Sequence, residues 1–396
     1  MKPEQFLQNW DWEIPIPIRY GPGRVREVGT ICAAHGIANP LIVTDRASAS
    51  LPFVGAVMGA LEGAGLRCAL FSDVSPNPTD IEAGHGAEAF RLGGHDAVIA
   101  LGGGSGMDAG KAVSLLARSN HPLWDFDFDV APPNELTKAD FPPLLCIPTT
   151  AGTGAETEST GMITDTSRGI KGCVWHPAQK PIVAVLDPVL TVGLPPRLTA
   201  WTGCDALTHA IEAYCVPSAH PICDGVALEG LRLVAKALPE VLQAPTSIEA
   251  RGAMLVGSCL AGISFLKGLG MVHAISHMVG AEFDTHHGLT NAVLLPAALR
   301  FNAKDIDSKV GPMCEAMGLD GSDFDTFLAG VEHLLELCTI PQGLEDLGVR
   351  QDAIGSLALK ASRDPAAATN PRKASVTEIE ELIRSAMKTT RVERRS

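Results

Sequence analysis

Residues 99–111 read IALGGGSGMDAGK. Ile99–Leu101 is a short apolar run of the kind a buried strand uses, Gly102, Gly103, Gly104 and Gly106 surround Ser105, and a helix is expected to open at Met107 or Asp108. Backbone N–H groups at a helix N-terminus form an anion site, and missing side chains let a pyrophosphate approach closely. A plain glycine-rich turn from strand to helix has the same composition, so the segment alone does not choose between the two.

Working outward, runs of the same kind occur at 41–44 (LIVT), 97–101 (AVIAL), 144–148 (LLCIP) and 182–186 (IVAVL), each followed by Asp, Gly or Thr. Continuous apolar strands separated by helix-like stretches predict a parallel sheet covered on both faces, with ligands at the carboxyl ends of its strands. The glycine pattern is not GxGxxG with an acid about 20 residues later. The candidate ribose-binding acid lies earlier instead. Asp45 ends the run LIVTD, where a carboxylate would accept from a ribose 2′-OH and repel a 2′-phosphate; a turn or helix-cap aspartate is its structural alternative. SPNPT (75–79) and IPTTAGTGAE (147–156) place further polar strand ends on the same edge.

The pattern changes after Pro195 and Pro196. Helical stretches follow one another at 204–214, 224–238, 248–265 and 375–387, which predicts an α/β domain over 1–195 and an all-helical domain over 196–396. The tail 388–396 reads as a polar, frayed end.

The helical half carries the sharpest chemical signal. Asp205 and His209 stand at i, i+4, as do His273 and His277, and His287 follows just before Gly288. Residues four apart share a helix face. A carboxylate with three imidazoles suits a divalent ion such as Fe²⁺ or Zn²⁺ with room left for a substrate. A single such histidine is more often a hydrogen-bonded structural residue, but two spaced pairs and a third histidine nearby are harder to explain that way. Gly268, Gly270, Gly280 and Gly288 suit close backbone approach around a site, and His286 reads as a loop residue.

Bulk properties narrow the class. With 396 residues, 46% hydrophobic and 19% charged, the chain has the composition of a globular protein of two domains. A formal charge of −14 argues against nucleic acid or an anionic membrane as the main partner. The ten cysteines form no CxxC pair and predict buried thiols in a reducing compartment. The N-terminal MKPEQFLQNWDWEIPIP lacks the apolar core of a signal peptide, and no uncharged apolar run approaches the roughly 18 residues of a membrane span, so a cytoplasmic location is expected.

GGGSGMDAGK, PTTAGTGAE, TGCDALTHAIEAY (202–214), GLGMVHAISHMVGAEFDTHHGLTNAVLLP (268–296), SPNPT and TNPRKASVTEIEEL (369–382) together resemble the iron-containing, group III alcohol dehydrogenases over nearly the whole chain. The resemblance implies a Rossmann-like domain, a helical domain and a site in the cleft between them. It implies Asp205, His209, His273 and His287 as metal ligands and His277 as the histidine beside the metal and near the nicotinamide. Asp45, Asn77, Gly104, Ser105, Thr149, Thr150, Lys171, Leu190 and Gly193 match positions that contact the cofactor, and the loop residues Gly103 and Asp108 complete the candidate NAD(H) site. Two departures stand out. Gly110 replaces an Ala or Cys, which is expected to matter little, and Glu158 replaces a Thr beside the cofactor and is not carried over. The metal-free maleylacetate reductases do not keep the full ligand set, so the four ligands here favour the metal-dependent branch.

The expected chemistry is Lewis-acid activation of a primary alcohol oxygen with hydride transfer to NAD, His277 relaying the proton or positioning the substrate. The expected partner is a small alcohol or aldehyde, and the expected assembly a homodimer or larger homo-oligomer. Lys267, in FLKGLGMVH (265–273), stands six residues before a metal ligand. It suggests a short anionic ω-hydroxy acid and its semialdehyde, the lysine pairing with the far carboxylate. A solvent-facing lysine at a helix end is its structural alternative, and neutral short-chain aldehydes of the lactaldehyde or butanol type are the alternative substrates. A metal-dependent hydrolase would use the same ion but leave the glycine loop unexplained, and a non-catalytic nucleotide or metal sensor would leave an intact site idle.

Overall fold

The computed structural model describes residues 16–388. The leader reading of the first residues and the polar tail beyond Lys388 fall outside them. Among the described residues the chain divides into two compact units, which meet at Leu194 and Pro195 in sequence.

The first unit is a parallel α/β layer structure. Its strands are β1 (Ile18–Tyr20), β2 (Leu41–Val43), β3 (Ala69–Phe71), β4 (Val98–Gly102), β5 (Leu144–Pro148) and β8 (Val183–Leu186), with an antiparallel hairpin of β6 (Gly161–Asp165) and β7 (Ile170–Val174). The sheet order is β1-β8-β5-β4-β2-β3, every pair parallel. Helices α1 (Val28–Ala34), α2 (Pro52–Gly63), α3 (Asp80–Leu92) and α4 (Gly104–Ala117) cover it. Ile42, Ile99, Leu101, Leu145, Ile147 and Val185 pack on one face with α1 and α2, and Leu41, Val43, Val98, Ala100 and Cys146 on the other with α3 and α4. Burial on both faces is why these strands read as unbroken apolar runs. From β2 the chain steps out to β3 and returns to β4, so the order reverses between β2 and β4, where open α/β sheets hold their ligands.

The glycine loop differs from expectation in one respect. Helix α4 begins at Gly104, not at Met107 or Asp108, because Met107 N–H already donates to Gly103 O at 3.0 Å. Gly106 lies so close to the end of β4 that a Cβ would stand 2.6 Å from Leu101 O, so the helix starts where only glycine fits. Gly110 also corrects the sequence reading. A Cβ there would lie 2.5 Å from Ala100 Cβ and 3.0 Å from its Cα, so in this chain the glycine is the surface on which α4 meets β4.

The second unit is helical: α5 (Pro196–Cys215), α6 (Pro221–Gln243), α7 (Ile248–Ser264), α8 (Met271–Phe283), α9 (His287–Asn302), α10 (Asp307–Met317), α11 (Phe324–Leu337), α12 (Ile354–Ala361), α13 (Pro365–Thr369) and α14 (Val376–Met387). Among the described residues one stretch, Ile248–Lys267, is long and apolar enough to cross a membrane by length and composition; 67% of its most apolar 18-residue window is buried, as in a core helix. All ten cysteines are free thiols, and all but Cys68 and Cys173 are buried.

Candidate active site

In the α/β unit the predicted nucleotide residues gather at the carboxyl ends of the strands. Thr149 N–H donates to Gly102 O at 2.9 Å, joining the ends of β4 and β5. Cβ atoms at Gly103 and Gly104 would stand 3.1 Å from Thr150 Cγ2 and 3.2 Å from Thr153 Cγ2, so the glycine loop and the threonine loop lie against each other. Ser105 Oγ donates to Pro76 O at 2.6 Å and Lys171 Nζ to Asn77 Oδ1 at 3.2 Å, which brings SPNPT and the β6–β7 hairpin to the same edge. Asp45 stands beside Gly102, whose Cβ would lie 3.6 Å from Asp45 Oδ2. Its oxygens accept from Ser48 N–H (3.0 Å) and Ser48 Oγ (2.6 Å), so the turn-forming role is present, and each oxygen keeps a lone pair for a ribose hydroxyl.

The other members are less central. Asp108 accepts from Met162 N–H; burial pushes its carboxyl up against the pull of Lys111 and Lys171. Leu190 and Gly193 follow β8, Leu190 packed against the sheet core and Gly193 exposed. Lys111 was not anticipated. It is fully buried, with Nζ donating to Thr160 O at 2.7 Å, and it faces Glu158, whose carboxyl burial pushes up to about 7.

In the helical unit, Asp205 and His209 come from α5, His273 from α8 and His287 from the first residue of α9. Their donor atoms all lie within 4.8 Å of one another. A divalent ion ligated at about 2.0–2.2 Å sets its donors roughly 3–4 Å apart, so one carboxylate oxygen and three imidazole nitrogens fit such an ion with little closure. Burial and the neighbouring imidazoles hold His273 well below the usual histidine range, in the neutral form that ligates. His209 stacks on His273 (4.6 Å, 24°) and is backed by Phe265 at 5.0 Å. A Cβ at Gly288 would lie 2.9 Å from Asp205 Cβ and 2.4 Å from Trp201 O, so α9 can enter the site only as glycine. His286 is a helix cap whose ring packs on Trp201, consistent with its exclusion.

Several residues around these were missed by sequence reading. Glu212 Oε2 lies 2.6 Å from His273 Nδ1, Ser276 Oγ lies 3.1 Å from His287 Nδ1, and Asp364 Oδ2 lies 2.8 Å from His277 Nδ1. With Nδ1 engaged, Nε2 of His273 and His287 turns inward, where the Asn291 amide lies 3.1 Å from each and 2.7 Å from Asp205 Oδ1. Glu212 follows His209 by three positions and Asn291 follows His287 by four, so helical spacing carried a signal for both. Asp364 carried none, being brought to His277 by tertiary packing alone. His277 stacks on His287 (5.5 Å, 12°) but is not one of the four converging donors. Burial pushes the Glu212 carboxyl up to about 8 against several N–H donors, a rise that a cation beyond the imidazole opposes.

Lys267 fits neither of its two expected roles. Its side chain is 1% exposed, and Nζ forms an ion pair with Asp224 and donates to Tyr214 O at 3.4 Å. It is neither a solvated helix end nor a free cation awaiting a substrate anion.

Residues 15–188 match the family model for iron-containing alcohol dehydrogenase, and residues 199–387 match that for the C-terminal part of the Fe-containing alcohol dehydrogenase family. The chain belongs to the iron-containing alcohol dehydrogenases. An NAD-dependent methanol dehydrogenase of Bacillus methanolicus is 36% identical, over 94% of this chain and 99% of its own. Among solved structures, a 1,3-propanediol oxidoreductase superposes with a TM-score of 0.90 at 33% identity, covering 96% of this chain and 100% of its own. A sulfoacetaldehyde reductase from Bifidobacterium kashiwanohense, solved with NAD⁺, gives 0.85 at 29% identity, covering 96% and 99%. This dehydrogenase is thus an alcohol–aldehyde oxidoreductase of the iron family, with NAD and a divalent metal as its cofactors. The comparisons give the hydrolase reading no support.

Proposed function

We propose that this dehydrogenase interconverts short, uncharged primary alcohols and their aldehydes, using NAD(H) and a divalent iron or zinc ion held by Asp205, His209, His273 and His287. Lys267 carries the choice of an uncharged substrate. The anionic ω-hydroxy acid reading needed a free ammonium near the metal, and this one is buried against Asp224. A substrate carboxylate would have to displace Asp224 from a buried pair, at a desolvation cost that the exchange does not return.

Bound at these sites, the ion supplies Lewis acidity toward an alcohol or carbonyl oxygen and the nicotinamide exchanges the hydride. The chain's own residues do the rest. The amides of Gly104–Gly106 at the start of α4 offer an anion seat for the pyrophosphate. Asp45 accepts from the adenosine ribose and disfavours a 2′-phosphate. His277, its Nδ1 held by Asp364, has Nε2 available to exchange a proton with the substrate hydroxyl. Asn77, Thr149, Thr150 and Lys171 form the polar rim of the same nucleotide edge, with Gly103, Asp108, Leu190 and Gly193 as its supporting members. The ten free thiols favour a cytoplasmic, reducing setting, and a homodimer or larger homo-oligomer is the proposed assembly.

The deciding experiment compares kcat/KM for butyraldehyde and succinic semialdehyde with metal-loaded enzyme and NADH. The neutral aldehyde is expected to be preferred, and Lys267→Met to leave the ratio unchanged. A wild type preferring the semialdehyde, with that preference lost in Lys267→Met, would overturn the reading. His273→Ala is expected to fold and lose its ion, measured by elemental analysis.

A further inference from the structure

Glu212 lies on α5, three residues after His209, and is 7% exposed. Its carboxylate reaches across to the start of α8. Oε1 accepts from Val272 N–H at 2.8 Å, Gly270 N–H also donates to the carboxylate, and Oε2 takes His273 Nδ1 at 2.6 Å. The seat is built for it, because a Cβ at Gly270 would stand 2.7 Å from Oε1 and 2.9 Å from Asn370 Oδ1. Asn370 in turn accepts from Met271 N–H at 3.1 Å, so the first turn of α8 is fixed from two sides.

From this geometry we infer that Glu212 is a positioning residue for ion capture, holding the His273 ring with Nε2 toward the other donors. The inference rests on the ion site proposed above. Three physical consequences follow from one carboxylate. Ionised, as a cation at the far side of the His273 ring favours, it selects the imidazole tautomer whose Nε2 carries a lone pair and raises the basicity of that nitrogen. It complements the positive end of α8. It also ties α5, which carries two of the proposed ligands, to α8, which carries a third, so less freedom is lost when an ion binds.

A helix cap with no part in ion binding would use the same contacts, so the test must separate the two. Wild type and Glu212→Gln are stripped of metal, and Co²⁺ affinity is measured by competition with a chromophoric chelator; Co²⁺ loss from the loaded proteins to excess EDTA is timed. Glutamine keeps an oxygen for Val272 N–H but removes the charge. The expected result is a Kd for Co²⁺ weaker by about 10- to 100-fold and faster loss to EDTA, with the circular dichroism unchanged. Gly270→Ala, which retains the glutamate but crowds its seat, is expected to weaken binding in the same direction and keeps the test open should Glu212→Gln not fold. A folded Glu212→Gln with wild-type Kd and wild-type loss rate, changed only in Tm, would leave the residue as a cap and overturn the inference. Failure of the wild type to bind one Co²⁺ would instead refute the ion site itself.

Discussion

His277 and Asp364 show how much one side chain can depend on a partner far away in sequence. Asp364 divides its oxygens, Oδ2 holding His277 Nδ1 at 2.8 Å and Oδ1 accepting from Ala366 N–H at 2.8 Å as the cap of α13. Asp364→Ser can retain the cap but is too short to retain the histidine. If the pair orients a proton-exchanging imidazole, this variant loses roughly 10- to 100-fold in kcat with little change in Tm; steady-state kinetics beside a thermal melt would read both, and an unchanged kcat would show that His277 needs no orienter. Lys267→Met should act on stability. It strips Asp224 of its buried partner but leaves Lys309 Nζ 3.6 Å away, so a loss of roughly 1–3 kcal/mol is expected in urea titration, below that of a fully buried broken pair. Of the proposed ligands, Asp205 and His209 were legible because one helix turn brings i and i+4 together, and His273 and His287 from the histidine-rich motif around them; Asp364 and the burial of Lys267 were not, since both follow from which helices pack.

Among the elements, the strands that the sequence displays plainly are those buried on both faces, such as β4 and β5. The edge strand β3, three residues long and only half buried, and the hairpin β6–β7, whose second strand begins with exposed Ile170 and carries Lys171, were not anticipated. The contact of α4 with β4 makes a test of close packing. Gly110→Ala gains helix propensity but drives a methyl into Ala100, and a net loss of about 1–3 kcal/mol is expected from overpacking; a more stable variant would mean that the helix can move aside. The loop following β5 provides a pH test. Burial raises the Glu158 carboxyl from 4.5 to about 7. The folded chain therefore keeps a proton that the unfolded chain releases between those values, and stability falls as pH rises through that window and levels off above it. Glu158→Gln removes this slope, so relative to wild type it should gain roughly 1–3 kcal/mol at pH 8 over its value at pH 4, measured by denaturant titration at the two pH values. Parallel curves would place the titration elsewhere.

For the molecule as a whole, the proposed ion ligands all fall after Leu194 and the proposed nucleotide contacts all fall before Pro195. Each cofactor should therefore protect its own unit. In hydrogen exchange, Co²⁺ is expected to slow exchange in α5, α8 and the start of α9, and NAD⁺ to slow it at the ends of β2 and β4 and in the first turn of α4, with about 2.7 kcal/mol of protection at a ligand concentration 100 times Kd. Protection of both units by either ligand alone would mean that they open together. The family and the two-part α/β and helical architecture were legible from motifs spread along the chain, because each motif is local; of the carboxylates behind the histidines, Glu212 left a trace in its helical spacing and Asp364 left none, because its place depends on three-dimensional neighbours. The buried cysteines have a practical consequence of another kind. Cys32 and Cys146 lie in the α/β unit and Cys215 and Cys223 in the helical one, and burial raises all four thiols to about 11 or 12. A thiolate, not a thiol, is the species alkylated. In an otherwise native molecule these sulfurs should stay silent toward iodoacetamide until the chain around them opens. Mass spectrometry of pulse-labelled peptides would then time the opening of each unit separately, with no residue changed.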